Sequence, residues 1–90
     1  MIGRALDPLT VQAITDEADA AQGKYGDFTS THEALGVLIE EMDELRHAIW
    51  SNKLYSVARE ATQVAAVAAR LAEIAGRPIP SEFSKRSGVE

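Results

Sequence analysis

Four acidic side chains crowd into five consecutive positions near the middle of the chain. They are Glu40, Glu41, Asp43 and Glu44, within the segment LIEEMDELRHAIW. Carboxylates this close repel one another in a folded protein, which raises their pKa values unless a cation neutralises them. Oxygen ligands of this kind suit Mg²⁺ or Mn²⁺. The segment is therefore a candidate metal site, and the alternative is a solvated acidic face of a helix.

The first helix that could position such a site is predicted from its start and stop signals. Asp7 can cap a helix, and Pro8 suits the first helical position that follows it. The next residues contain no helix breaker before Gly23. Residues 23 to 31, GKYGDFTST, are predicted to form a loop with Gly23 and Gly26 as its hinges.

A second helix is predicted to begin at Thr31, because Ser30 and Glu33 stand at the spacing of a capping box. Apolar residues then follow one another at alternating spacings of three and four, which places them on one stripe of the helix. This stripe consists of Leu35, Leu38, Met42, Leu45 and Ile49. We expect it to be a packing surface.

Ser51 and Asn52 are predicted to end the second helix and to cap a third. The third helix should stop where Gly76 is followed by Pro78. It carries an apolar stripe of similar spacing, made of Val57, Ala61, Val64, Ala68, Leu71 and Ala75. Two matched stripes across a short turn predict an antiparallel helical hairpin. The fold class is thus all-α, a hairpin plus an N-terminal helix, assembling through its stripes into an oligomeric helical bundle.

The hairpin should bring acidic residues of both helices together. Glu44 and Glu60 each lie eight residues from Asn52 at the turn, and Glu41 and Gln63 each lie eleven residues from it. At about 1.5 Å of rise per residue, the members of each pair are level in an antiparallel hairpin. Glu60 also points nearly into an apolar stripe, where a carboxylate is costly unless it has a partner. Three carboxylates and one amide oxygen are therefore predicted to converge.

Size and composition limit the remaining possibilities. A chain of 90 residues makes one domain, predicted at residues 1 to 76, and residues 77 to 90 are predicted to be a flexible tail or arm. The net charge of −5 argues against nucleic acid as a partner, because binding a phosphate backbone relies on Lys and Arg. The chain has no cysteine and no apolar run of membrane-spanning length. We therefore expect a cytoplasmic protein with no membrane partner.

The motifs carry a resemblance to a known family. EEMDE at residues 40 to 44 fits the EExxE signature of the MazG-like all-α nucleoside triphosphate pyrophosphohydrolases. Glu60 follows after fifteen intervening residues and opens what would be their second signature, ExxD. The wider segments KYGDFTSTHEALGVLIEEMDEL and REATQVAAVAARLAE resemble small stand-alone members, often phage-borne. The likeness extends over about residues 20 to 75.

The resemblance implies a homodimer or homotetramer that hydrolyses a nucleoside triphosphate to a monophosphate and pyrophosphate with Mg²⁺. Glu41, Glu44 and Glu60 would be the catalytic metal ligands, and Glu40 would be a further ligand or lie beside them. Gln63 departs from the family pattern, which has Asp there. An amide keeps an oxygen ligand but removes a negative charge, which should weaken cation binding. The alternative is therefore a catalytically reduced member that acts as a helical oligomerisation or nucleotide-binding module.

Three further residues are candidates for nucleotide binding. Lys24 could contact a triphosphate, and Tyr25 could stack on a base, although both could equally be solvent-exposed loop residues. Arg70 falls on the same face as Gln63 and could reach a phosphate, or it could form an ion pair with Glu73. A further hypothesis, of a different class, is a coiled-coil-like helix pair that binds a protein partner.

Overall fold

The structure is a computed structural model that describes residues 5 to 76. This part of the chain contains three helices and no strand, which confirms the predicted all-α class for it. The helices are α1 (Pro8–Tyr25), α2 (Thr31–Trp50) and α3 (Leu54–Gly76). None of these described helices is long and apolar enough to cross a membrane. Residues 77 to 90, predicted to be a tail, lie outside the described residues, as do residues 1 to 4.

The start of α1 is as predicted, but its end is not. The Asp7 side chain caps the helix by accepting a hydrogen bond of 2.8 Å from the Leu9 amide. The helix then continues through Gly23 to Tyr25 and ends at Gly26, which has a positive φ of 76°. Glycine inside a helix costs only about 1 kcal/mol, so Gly23 does not stop it. The predicted loop therefore begins three residues later than expected, at the glycine whose backbone conformation requires it.

The start of α2 is also as predicted. Ser30 caps the helix by accepting a hydrogen bond of 3.0 Å from the Glu33 amide. The Glu33 carboxylate bonds the residue before the cap, accepting from the Thr29 amide at 2.6 Å and from its hydroxyl at 3.0 Å. These two hydrogen bonds lower the pKa of Glu33. Local side-chain capping thus fixes where the chain enters α2.

The turn between α2 and α3 differs from the prediction. Ser51 closes α2, because its amide donates to the His47 carbonyl at 3.0 Å. Asn52 has a φ of 59°, a left-handed conformation that asparagine tolerates better than most residues. The first helical hydrogen bond of α3 is accepted by the carbonyl of Lys53, the residue before the helix, from the Val57 amide at 2.9 Å. Ser51 and Asn52 therefore end one helix and turn the chain, and neither caps the next helix.

Small residues form the contact between the two long helices. α2 packs against α3 across the turn, and α1 packs against α3. The buried apolar positions are Ala34 and Ala48 in α2, and Ala66 and Val67 in α3. Small side chains allow two helices to approach closely, because the interaxial distance depends on the residues at the contact. The hairpin is thus centred on alanines and valine.

The residues of the predicted apolar stripes are half-buried or exposed, so the stripes lie at the edge of this contact and not at its centre. In α2, Leu38 and Leu45 are half-buried, whereas Leu35, Met42 and Ile49 are exposed by 49, 49 and 53%. In α3 the larger stripe residues are half-buried and the alanines are exposed. The periodicity located the most apolar side of α2, but close packing selected the smaller residues next to it. An α2 apolar face therefore remains exposed, made of Leu35, Ile39, Met42 and Ile49.

Candidate metal centre and its two cavities

Three glutamates from two helices meet in the middle of the hairpin. Glu41 and Glu44 project from α2 and Glu60 projects from α3. One carboxylate oxygen of each lies within 4.8 Å of the others. The antiparallel register brings Glu44 and Glu60 level, and Glu41 lies about one helical turn further from the turn between the helices. The structure therefore brings together the three carboxylates that the sequence predicted to converge, here named the acidic cluster.

Glu41 is the most constrained member of the acidic cluster. Its Oε1 atom is buried and has no hydrogen-bond partner among the described residues. Burial raises the pKa of Glu41, and neighbouring negative charges raise it further. Those charges belong to Glu44, Glu60, Glu17 and Glu40. A half-buried carboxylate with like charges around it and no donor to one oxygen is an environment that a bound cation would stabilise.

The other acidic residues of the crowded segment have different surroundings. Asp43 is exposed and pairs with Arg46, at 2.8 Å between Oδ1 and Nη2. Exposed pairs of this kind are worth at most about 1 kcal/mol. Glu40 is also exposed, at the rim of the acidic cluster. The helix thus separates the crowded acidic residues into two groups: Glu41 and Glu44 are directed toward Glu60, where like charges accumulate, and Asp43 is directed toward a basic residue.

A cleft of about 480 Å³ opens beside the acidic cluster where the three helices meet. Glu41 and Gln63, two of the residues predicted to converge, both line this three-helix cleft. Lys24, Tyr25 and Arg70 line it as well. The three residues proposed from the sequence for nucleotide binding therefore share one cavity with a candidate metal ligand.

Arg70 lines the three-helix cleft and is buried, with only 8% of its surface exposed. Its Nη2 donates to the Gly26 carbonyl at 2.9 Å, and its guanidinium carbon lies 4.3 Å from the centre of the Phe28 ring. Its Nε has no hydrogen-bond partner among the described residues. In place of the considered ion pair with Glu73, Arg70 thus fastens the loop between α1 and α2 to α3.

Lys24 and Tyr25 lie in the last turn of α1 and not in the loop predicted for them. The Lys24 Nζ atom is 5.2 Å from the centre of the Tyr25 ring, a cation–π distance. Both side chains are exposed. They therefore offer a cation and an aromatic ring at the mouth of the three-helix cleft.

A wider groove of about 800 Å³ opens on the side of the acidic cluster nearer the turn. Glu44 and Glu60 line this turn-side groove, and Glu40 lines both the groove and the cleft. The acidic cluster therefore lies where the two cavities meet. The wall of the groove is completed by Asp43 and by polar and basic side chains, among them Arg46, His47, Ser51, Lys53 and Arg59.

Two charged residues of the site were not predicted from the sequence. Glu17 in α1 is half-buried, lines the three-helix cleft and adds to the raised pKa of Glu41. Arg59 places its Nη2 atom 3.4 Å from Oε2 of Glu60. The position of Glu17 depends on how α1 docks, for which the sequence has no periodic signal. Arg59 is adjacent to Glu60 in the chain, but neighbours on a helix point about 100° apart, so no spacing rule pairs them.

Comparison of the chain with models of known protein families, with curated proteins and with solved structures returned no match. The class that can be stated is structural. The described part of the chain is an all-α hairpin with an additional helix, and an acidic cluster lies between two cavities of its surface.

Proposed function

We propose that the protein is a Mg²⁺-dependent nucleoside triphosphate pyrophosphohydrolase of the MazG-like type, able to use Mn²⁺ in place of Mg²⁺. The observation that supports this most is the convergence of Glu41, Glu44 and Glu60 beside the three-helix cleft. The volume of the cleft, about 480 Å³, is in the range of small-molecule and cofactor sites. We expect the enzyme to act in the cytoplasm.

The donor set of the acidic cluster fits a hard divalent cation. Glu41, Glu44 and Glu60 supply carboxylate oxygens, Glu40 is at the rim, and Gln63 offers a neutral amide oxygen nearby. The buried Oε1 of Glu41 lacks a donor, and a cation would satisfy it. When bound, the cation would polarise the α-phosphate and neutralise the leaving pyrophosphate.

The hydrolysis that we propose breaks one phosphoanhydride bond. The oxygen of a water molecule forms a bond to the α-phosphorus, and the bond from that phosphorus to the bridging oxygen breaks. Pyrophosphate leaves with the electron pair of the broken bond, and a proton of the water passes to a carboxylate of the acidic cluster. Tyr25 offers a ring for base stacking, while Lys24 and Arg70 supply positive charge in the same cleft.

The proposal includes assembly of two or four copies. The described helices leave the α2 apolar face uncovered, and a small protomer gains stability by burying such a face. Trp50, Leu54 and Tyr55 extend the exposed apolar surface at the turn, where each is more than three quarters exposed. A second copy of the chain is the partner that we propose for this surface, which would make a homodimer or a homotetramer.

A catalytically reduced nucleotide-binding or oligomerisation module is the second candidate, and Gln63 favours it. The residue lines the same cleft as Glu41, and an aspartate there would add a carboxylate to it. Under the second candidate, Gln63→Asp should raise Mg²⁺ affinity, since carboxylate charge strengthens binding of a hard cation, and should create pyrophosphohydrolase activity that the wild type lacks. An unchanged Mg²⁺ affinity in this variant would argue against a metal site in either form.

The test of the proposed function is a pyrophosphate-release assay with each common nucleoside triphosphate, with and without Mg²⁺. We expect the wild type to release pyrophosphate only with the metal, and both Glu44→Gln and Glu60→Gln to be inactive. Asp43→Asn is the matched control, because it removes one carboxylate charge that the structure pairs with Arg46. Equal losses in all three variants would show that the cluster has no special role, and Mg²⁺ binding without release would select the second candidate.

A further inference from the structure

The basic side chains of the described residues all border the two cavities that meet at the acidic cluster. Arg46, Lys53 and Arg59 line the turn-side groove, and Lys24 and Arg70 line the three-helix cleft. Acidic side chains line the same cavities: Glu40, Asp43, Glu44 and Glu60 in the groove, and Glu17, Asp27, Glu33, Glu40 and Glu41 in the cleft. A divalent cation at the acidic cluster would offset these acidic side chains, and the Lys and Arg residues would then supply positive charge along both cavities for an extended anion.

The two cavities differ in what else they contain. The three-helix cleft has aromatic and apolar walls, to which Tyr25, Phe28 and Val37 contribute. The turn-side groove has no Phe, Tyr or Trp among its described lining residues, and its wall combines charged side chains of both signs with the hydroxyl groups of Ser51 and Ser56. A nucleoside triphosphate has the same asymmetry, because a flat, mostly uncharged nucleoside is joined to a highly charged polyphosphate. The difference between the cavities therefore predicts the orientation of the substrate, with the nucleoside in the cleft and the polyphosphate in the groove.

We propose that the turn-side groove binds the β- and γ-phosphates, the part of the substrate that leaves as pyrophosphate, with Arg59 as the principal ligand. The nucleoside then lies in the three-helix cleft and the α-phosphate at the acidic cluster. This assignment rests on the proposed function, because a triphosphate cleaved at the cluster must extend to both sides of it. Arg70 and Lys24, assigned to phosphates from the sequence, are on the nucleoside side and reach at most the α-phosphate.

Arg59 differs from Arg46 in its contacts, and from Lys53 because Lys53 lies in the turn between α2 and α3, away from the acidic cluster. Its Nη2 lies 3.4 Å from Oε2 of Glu60, a long contact for an ion pair, and its side chain is 58% exposed, whereas that of Glu60 is 14% exposed. Arg59 thus contacts the acidic cluster while more than half of its side chain is exposed, on the wall of the groove. Arg46 is already paired with Asp43 at 2.8 Å. A pyrophosphate group in the groove would therefore meet Arg59 first, next to the cluster.

Separate titration of the two products tests this orientation. Inorganic pyrophosphate and each of the four ribonucleoside 5′-monophosphates are titrated calorimetrically into wild type, Arg59→Gln and Tyr25→Ala, all with saturating Mg²⁺. Arg59→Gln should weaken pyrophosphate binding about tenfold, as expected for one charge-assisted hydrogen bond, and should change monophosphate binding less than about twofold. Tyr25→Ala should show the opposite pattern. Arg59→Lys, which keeps the charge, should recover part of the loss.

The matched control is Ala13→Glu, which changes net charge by the same amount at an exposed position that lines neither cavity. It should leave both affinities unchanged. Equal pyrophosphate affinity in wild type and Arg59→Gln, or no pyrophosphate binding to the wild type at all, would overturn the orientation. In either case pyrophosphate release from triphosphates can persist, whereas a wild type that releases none contradicts the proposed function itself. The two failures are therefore distinguishable.

Discussion

Glu41 and Asp43 stand two positions apart in α2, yet they occupy opposite kinds of environment. Glu41 faces α3, where it is half-buried near Glu44 and Glu60 with one oxygen unsatisfied among the described residues. Asp43 faces solvent and pairs with Arg46. Under the proposed function, the direction of a side chain relative to the partner helix, and not the local density of charge, decides which acidic residues hold a cation. The predictions below test this contrast.

The largest expected effect is on catalysis. Glu41→Gln should lower Mg²⁺-dependent pyrophosphate release by at least about a hundredfold, because loss of a metal ligand removes the polarisation that the cation supplies. Asp43→Asn should change the rate less than about twofold. Rates measured at saturating Mg²⁺ and over a range of substrate concentrations separate a loss of turnover from a loss of binding. Similar losses in both variants would contradict the contrast.

The next effect is on packing and compares two alanines of α3. Ala66 is 2% exposed at the helix contact, whereas Ala61 is exposed. Ala66→Leu should lower the free energy of unfolding by about 1–3 kcal/mol through overpacking, and Ala61→Leu by less than about 0.5 kcal/mol. Urea denaturation followed by circular dichroism measures both. If Ala61→Leu proved the more harmful, the contact face would run along the stripe predicted from the sequence.

The contrast between buried and exposed charge also applies to two arginines. Arg70→Gln removes the hydrogen bond to Gly26 and the stacking on Phe28, and should cost about 1–3 kcal/mol of the free energy of unfolding. Arg46→Gln breaks an exposed pair and should cost less than about 1 kcal/mol. Urea denaturation followed by circular dichroism measures both costs. Equal costs would mean that Arg70 does not hold the α1–α2 loop in solution.

The smallest effect is on the pH dependence of stability without metal. Because the pKa of Glu41 is raised in the fold, its ionised form destabilises the protein at neutral pH, and this penalty should shrink as pH falls through the raised value. The ionised form of Glu33 instead stabilises the protein at neutral pH, because its pKa is lowered in the fold. This stability is lost as pH falls through the lowered pKa. With EDTA at pH 7, Glu41→Gln should therefore unfold at slightly higher urea than wild type, and Glu33→Gln at lower urea. Added Mg²⁺ should reverse the order of wild type and Glu41→Gln.

Features set by neighbouring residues could be predicted from the sequence. The caps Asp7 and Ser30 were located correctly, because a cap is defined within three or four residues by its own side chain. The convergence of Glu44 with Glu60 also followed from local information, since counting from a short turn fixes the register of an antiparallel hairpin. These levels of structure need no knowledge of how distant parts of the chain pack.

Features that depend on packing could not be predicted in this way. The end of α1 was misplaced because Gly23 and Gly26 have equal propensity, and only the path of the loop toward Arg70 distinguishes them. The contact face of α2 was misjudged because periodicity ranks apolarity, whereas the packed hairpin favours small residues. Glu17 entered the site through the docking of α1. Long-range contacts thus decided these features.

The most direct test of the central claim is isothermal titration of Mg²⁺ into wild type, Glu60→Gln and Asp43→Asn. Each variant neutralises one carboxylate of the wild type. The two variants therefore have the same total charge and differ only in which carboxylate is lost. We predict that wild type and Asp43→Asn bind Mg²⁺ with affinities within about twofold of each other, and that Glu60→Gln loses at least about tenfold. Equal affinities in the two variants would contradict the account, because Mg²⁺ would then respond to the charge of the chain and not to a site between α2 and α3.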